Sequence, residues 1–129
     1  MRDKFAGVNQ RRVVTAVDLF CGAGGATNAL LQACKKLPET GWHLTLIGDG
    51  PLRSKLEKTV EEYGLVGRVS IHGTIPYSQR ARSFANRQVF IFPSLWDGWG
   101  MVVPEALASG LPVVSTDQVM SAHRCSAYS

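Results

Sequence analysis

Two acids flank a glycine-lined turn in the most informative stretch of the chain, Phe92-Pro93-Ser94-Leu95-Trp96-Asp97-Gly98-Trp99-Gly100-Met101-Val102-Val103-Pro104-Glu105, and a helix-forming run, Ala106-Leu107-Ala108-Ser109, follows. The first backbone N–H groups of a helix have no carbonyl partner, and the aligned peptide dipoles leave partial positive charge beside them. The N–H groups of Gly100, Met101 and Val102 therefore make an anion site suited to a diphosphate. Glu105, in the first turns of the same helix, is placed to accept hydrogen bonds from a pair of sugar hydroxyls. The plainer reading makes Glu105 a favourable N-terminal charge and Asp97 a turn residue, and the residues alone leave both readings open. Glycine-rich turns recur at Gly22-Ala23-Gly24-Gly25, Gly48-Asp49-Gly50 and Gly73-Thr74. Each alone is only a turn, since glycine accepts backbone conformations that other residues avoid; together they suggest a nucleotide site. His43, His72 and His123 are isolated and read as surface or strand residues. Trp96 and Trp99 are pocket walls or loop anchors.

Bulk composition narrows the classes. The 129 residues, 45% of them hydrophobic, suit one soluble domain. The net charge of +4 comes from Lys and Arg interleaved with acids, as in Lys55, Glu57, Lys58, Glu61 and Glu62. A nucleic-acid binder would more often carry a basic stripe, so no nucleic-acid partner is expected. Cys21, Cys34 and Cys125 are an odd number at wide spacing, without CxxC pairs, and indicate neither a metal site nor a disulfide framework. The sequence has no apolar leader region and no apolar run long enough to span a membrane, so a cytoplasmic, soluble chain without a transmembrane segment is expected.

The elements that must position these residues follow a repeated pattern. Val13 to Phe20 reads as a buried strand ending at the first glycine turn. A helix capped by Thr27 or Asn28 follows, with Leu30, Leu31, Cys34 and Leu37 on one face and Pro38 as its stop. His43 to Ile47 is a second strand. It leads to a helix over 52–63 with Leu56, Val60 and Tyr63 inward, Pro51 before it and Gly64 at its exit. Arg68 to His72 is a third strand, 77–86 a short polar helix, and Gln88 to Phe92 a fourth strand. A helix reaches Ser109, Gly110 marks its exit, and Pro112 to Ser115 is a fifth strand. This alternation predicts an α/β, Rossmann-like fold: a parallel sheet of about five strands with helices on both faces. The domain is expected to span 13–117, after an N-terminal extension over 1–12 and before a tail over 118–129. In such sheets ligands bind beyond the carboxyl ends of the strands, and the loops at Gly48, Gly73 and Gly98 should share that edge.

The stretch around Asp97 resembles the E-x7-E region of retaining glycosyltransferases of family 4 (group 1), standing here as Asp97-x7-Glu105 followed by Ala-Leu-Ala-Ser-Gly-Leu-Pro-Val-Val. The resemblance extends upstream through Leu-Ile-Gly-Asp-Gly-Pro at 46–51 and through 69–73, covering roughly Leu30 to Asp117. It implies one half of a GT-B fold, the domain that binds a nucleotide diphosphate sugar as donor substrate; it implies no separate cofactor. By that resemblance Glu105 holds the ribose hydroxyls. Asp97 and the backbone of Gly98, Trp99, Gly100 and Met101, with Val102, face the transferred sugar and the diphosphate, and Asp97 and Glu105 are the candidate catalytic pair. The backbone near Thr74 and Ile75 meets the base. The chain departs from the family where Asp97 replaces the first Glu. It also lacks the Arg and Lys that the family places after its first strand, since 13–33 holds no basic residue.

Ala16-Val17-Asp18-Leu19-Phe20-Cys21-Gly22-Ala23-Gly24-Gly25 resembles instead motif I of C5-cytosine DNA methyltransferases, which cradles S-adenosylmethionine, so Gly22, Gly24 and Gly25 are possible loop contacts. The Pro-Cys nucleophile and Glu-Asn dipeptide of those enzymes are missing. The expected function is hexosyl transfer from a nucleotide diphosphate sugar, incomplete in this chain alone and relying on a separate acceptor-domain chain or a homo-oligomer. The alternatives are a non-catalytic nucleotide-sugar binding module and a methyltransferase-derived fragment that binds S-adenosylmethionine.

Overall fold

The computed structural model describes residues 12–17, 25–93, 101–117, 119 and 121, and of 12–17, 25 and 26 the backbone alone. Its elements alternate: β1 (Arg12–Val17), α1 (Gly25–Lys35), β2 (Trp42–Ile47), α2 (Arg53–Glu62), β3 (Val69–His72), α3 (Tyr77–Phe84), β4 (Val89–Phe92), α4 (Val102–Ala108) and β5 (Val113–Ser115). The strands form one five-stranded sheet in the order β3-β2-β1-β4-β5. Every pairing is parallel, with Val17 opposite Ile47, Ile47 opposite His72, Ala16 opposite Ile91 and Ile91 opposite Val114. The expected α/β architecture is thus the observed one.

Both faces of the sheet are covered, as parallel strands require. On one face Leu44 and Leu46 of β2 and Val69 of β3 pack with Leu31 and Cys34 of α1 and Val60 of α2. On the other, Phe90 and Phe92 of β4 and Ile47 of β2 pack with Phe84 of α3 and Val102, Val103 and Ala106 of α4. Successive strand residues point to opposite faces, so 44–47 of β2 feeds both layers and is buried throughout. That double burial takes in even the polar Thr45, at 3% exposure. Strand order reverses between β1 and β4, which places the topological switch point at their carboxyl ends. The segments leaving those ends, 18–24 and 94–100, lie outside the described residues.

Several local expectations are corrected. α1 already includes Gly25, so Thr27 and Asn28 lie inside its first turn and are not caps; Thr27 is buried instead. The helix stops at Lys35, and Leu37 is 47% exposed rather than part of the apolar face. Pro38 disfavours a helical Leu37. The last turn therefore tightens through short-range bonds from Lys36 N–H to Ala33 O and from Leu37 N–H to Cys34 O, at 3.0 and 3.1 Å. α2 begins at Arg53, two residues past Pro51, and Tyr63 lies just beyond its end, half-buried against the core with Leu56. α3 ends at Phe84 rather than Asn86, and Asn86 itself takes a positive φ of 59°. Gly64 and Gly110 leave their helices in the left-handed region, at φ 66° and 80°, where a side chain would be strained. Beyond Asp117, Val119 and Ser121 are buried, and Val119 joins the α3–α4 core.

Candidate functional site

The turns at Gly48 and Gly73 lie together at the carboxyl edge, because the Gly48 N–H donates to His72 O at 3.1 Å. In the first turn, Asp49 accepts from the Gly50 N–H at 2.8 Å and lies 3.6 Å from Arg53 Nη1, whose Nε also donates to Glu57 at 3.0 Å. The same Nη1 is 3.3 Å from the point where a β-carbon on Gly73 would sit, so the Arg53 guanidinium lies close against the turn after β3. Beyond Gly73, the side chain of Thr74 is exposed, whereas Ile75 packs its side chain against the α3–α4 core. Recognition by Ile75 would therefore have to use its backbone.

α4 is seated by burial. Val102, Val103 and Ala106 are at most 3% exposed, so Val102 offers a ligand its backbone only, while Met101 is exposed at 58%. With its neighbours turned inward, Glu105 occupies the rim of the helix with 24% of its side chain exposed. Its partner was not singled out in the sequence. Arg80 of α3 places Nη1 3.2 Å from Oε2 and 3.3 Å from Oε1 of Glu105, and its guanidinium lies over the Tyr77 ring at 5.1 Å from the centroid. Local pairs on one helix can be seen in a sequence, as with Arg53 and Glu57; Arg80 and Glu105 are 25 positions apart on different helices, and neither carries a signal pointing to the other.

Of the other expected site residues, Asp97, Gly98, Trp99 and Gly100 lie outside the described residues, as do Gly22 and Gly24 of the methyltransferase-like stretch. Gly25 is the first residue of α1. Trp96, His123, Cys21 and Cys125 also fall outside. His43 is engaged inside the sheet, its Nε2 2.9 Å from Ser70 Oγ, and His72 is exposed on β3, in keeping with their reading as strand residues. Cys34 is a buried free thiol whose pKa is raised by desolvation, an effect that the nearby Arg68 charge partly offsets. A polar cleft of about 490 Å³ opens at the opposite edge of the sheet, lined by residues that include Glu39, Trp42, Gly64 and Arg68. Its polar groups are used internally: Arg68 stacks on Trp42 at 5.2 Å and donates to Gly64 O at 3.0 Å, and Trp42 Nε1 donates to Pro38 O at 2.6 Å. Among the described residues no helix is long and apolar enough to cross a membrane.

The Gly48 and Gly73 loops and the seated Glu105 lie within residues 26–124, which match the family profile of glycosyl transferases group 1. The chain belongs to that family. The matched span begins directly after the methyltransferase-like stretch. Among relatives, the chain is 38% identical over 90 residues to the lipopolysaccharide core biosynthesis glycosyltransferase LpsE of Rhizobium meliloti, covering 69% of this chain and 25% of that protein. Among solved structures it is similar to sucrose-phosphate synthase from Thermosynechococcus elongatus, with a TM-score of 0.72 and 28% identity, over 86% of this chain and 29% of that one. It shares its fold with Anabaena HepE, solved in complex with UDP-glucose, at a TM-score of 0.72 and 23% identity over 87% of this chain and 31% of that one. This glycosyl transferases group 1 chain spans a quarter or less of the length of the curated relatives it matches.

Proposed function

We propose that the chain is the donor-binding part of a retaining, family 4 type hexosyltransferase, and that it holds a nucleotide diphosphate sugar at the carboxyl edge of β1 and β4. The observation that carries the reading is Glu105: a half-buried carboxylate at the rim of α4, inside the family-matched span, with both oxygens held in place by a single guanidinium nitrogen. An ionised carboxylate has about four acceptor sites, so this contact leaves capacity on each oxygen for the two ribose hydroxyls. The backbone at Thr74 and Ile75 faces the base. Asp97 and the backbone over 98–102 face the sugar and the diphosphate. The UDP-glucose complex of HepE, a protein of the same fold, supports a nucleotide sugar as the ligand.

Transfer in this reading needs an acceptor-binding partner, in the same or another chain, and the 129-residue polypeptide alone binds donor without turning it over. The test is a calorimetric titration of the purified chain with UDP-, GDP- and ADP-glucose, with S-adenosylmethionine as the contrast. Saturable binding of at least one sugar nucleotide is expected, with no binding of S-adenosylmethionine. Saturable binding of S-adenosylmethionine alone would overturn the reading in favour of a methyltransferase-derived fragment.

A further inference from the structure

Arg80 reaches Glu105 from an element that also adjoins the base-facing loop. Pro76 is all that separates Ile75 from α3, and Arg80 is the fourth residue of that helix. Its direction is fixed at three points. The guanidinium lies on the Tyr77 ring one turn earlier. One turn later, Phe84 is 3% exposed and meets Phe90 edge to face at 5.3 Å, which anchors the helix beside α4. The third point is the carboxylate itself. α4 carries no cation of its own that could orient Glu105, because Val102–Ala108 contains no Lys, Arg or His. Arg82, on the same turn as Arg80, is exposed.

We infer that Arg80 is a positioning and specificity-determining residue: it fixes the Glu105 carboxylate so that its two oxygens discriminate a ribonucleotide from a 2′-deoxyribonucleotide. The contact geometry suits that task. Arg80 Nη1 lies between the two oxygens, 3.2 Å from Oε2 and 3.3 Å from Oε1, and draws on one lone pair of each. The other lone pair of each oxygen is left to a ligand. Without Arg80 the carboxylate is free to rotate, and a fixed pair of acceptors matched to vicinal hydroxyls is lost. A site built to hydrogen-bond a hydroxyl rejects the analogue that lacks it far more strongly than an unordered one.

The inference rests on the ribose role proposed for Glu105, and its test separates the two. Affinities of the full chain for UDP, GDP and ADP are measured, and the tightest is compared with its 2′-deoxy counterpart. The parent should prefer the ribonucleotide by roughly tenfold, the worth of one charge-assisted hydroxyl bond. In Glu105→Gln the ratio should approach one. In Arg80→Met it should fall to about threefold or less, and in Arg80→Lys it should recover part of the parent value, the ordering expected when one partner of an oriented pair is replaced. Adding Arg80→Met to Glu105→Gln should lower the ratio no further. A purely structural role for Arg80 would weaken both nucleotides equally and leave the ratio intact. An Arg80→Met ratio equal to the parent's, with discrimination lost in Glu105→Gln, overturns the inference and leaves the ribose role standing. A parent that binds both nucleotides equally, or binds neither, overturns both. Should Arg80→Met fail to fold by its melting curve, Arg80→Gln replaces it and is read in the same way.

Discussion

Replacing Glu105 by Gln separates a ligand role from a structural one because it preserves size while removing charge. In the structure the Glu105 side chain is 24% exposed and its one side-chain partner among the described residues is Arg80, at 31%. Losing an ion pair at that exposure costs about 0.2–1 kcal/mol of stability, the range for solvent-accessible pairs. Binding should suffer more. Two hydroxyl bonds to a carboxylate contribute about 1.5–3 kcal/mol each and neutral ones about 0.5–1.5. The change therefore removes on the order of 2 kcal/mol, and at least the 1.4 kcal/mol that makes a tenfold loss in affinity. Calorimetry with the sugar nucleotide bound by the parent gives the affinity, and a urea titration gives the stability. Glu61→Gln, on an exposed position of α2, is the control and should change neither. If the Glu105→Gln binding curve overlays the parent's while its urea midpoint is also unchanged, the ribose role is wrong and Glu105 is only a charge near a helix start.

Two further predictions concern the framework. Phe90 is fully buried, edge to face with Phe84 and stacked on Phe92 at 6.0 Å, so Phe90→Ala should cost about 3–5 kcal/mol. With a urea slope of about 2 kcal/mol per molar, the midpoint should fall by roughly 2 M; a loss under about 1 kcal/mol would mean that this cluster does not seat α3 and α4. Cys34 has its pKa raised by burial, so the folded thiol keeps its proton to higher pH than the unfolded one. From about pH 8.5, where an unfolded thiol ionises, the unfolded state binds fewer protons and stability falls as pH rises. The difference in stability between the parent and Cys34→Ala should shift in that direction between pH 8 and 10, and a difference constant with pH would refute it.

What could be read ahead of the structure was whatever is encoded within about one helical turn or one strand. His43 to Ile47 was legible as a strand, and the β-α alternation around it called for a sheet covered on both sides. Gly64 and Gly110 declared helix exits because a left-handed residue is needed there. The errors were also local, but came from competing signals. Thr27 has the chemistry of a cap, yet it is small enough to be buried in the first turn of α1, and burial prevailed. Leu37 has the spacing of a core residue, but the proline after it ended the helix first and left it exposed. Arg80 was illegible for a different reason: α3 is a polar helix whose pattern does not say which way each side chain points. Its orientation follows from Phe84, and the position of Phe84 follows from Phe90 on a strand formed later in the chain.

The two layers of the domain therefore divide the work unequally. The layer that holds α1 and α2 packs aliphatic side chains onto β2 and β3, and Trp42 and Arg68, which line the cleft at the opposite edge, are engaged with each other. The layer that holds α3 and α4 is built on stacked aromatics, and its helices meet at the Arg80–Glu105 pair on the rim. A seven-residue helix such as α4 has little stability of its own. Its direction must come from Val102, Val103 and Ala106 locked against Phe90 and Phe92. Glu105 is held because its neighbours are buried, while 24% of its own side chain stays exposed. The burial of Val102, Val103 and Ala106 thus leaves Glu105, the one acid of α4, on the partly exposed side of the helix, where it meets Arg80 of α3.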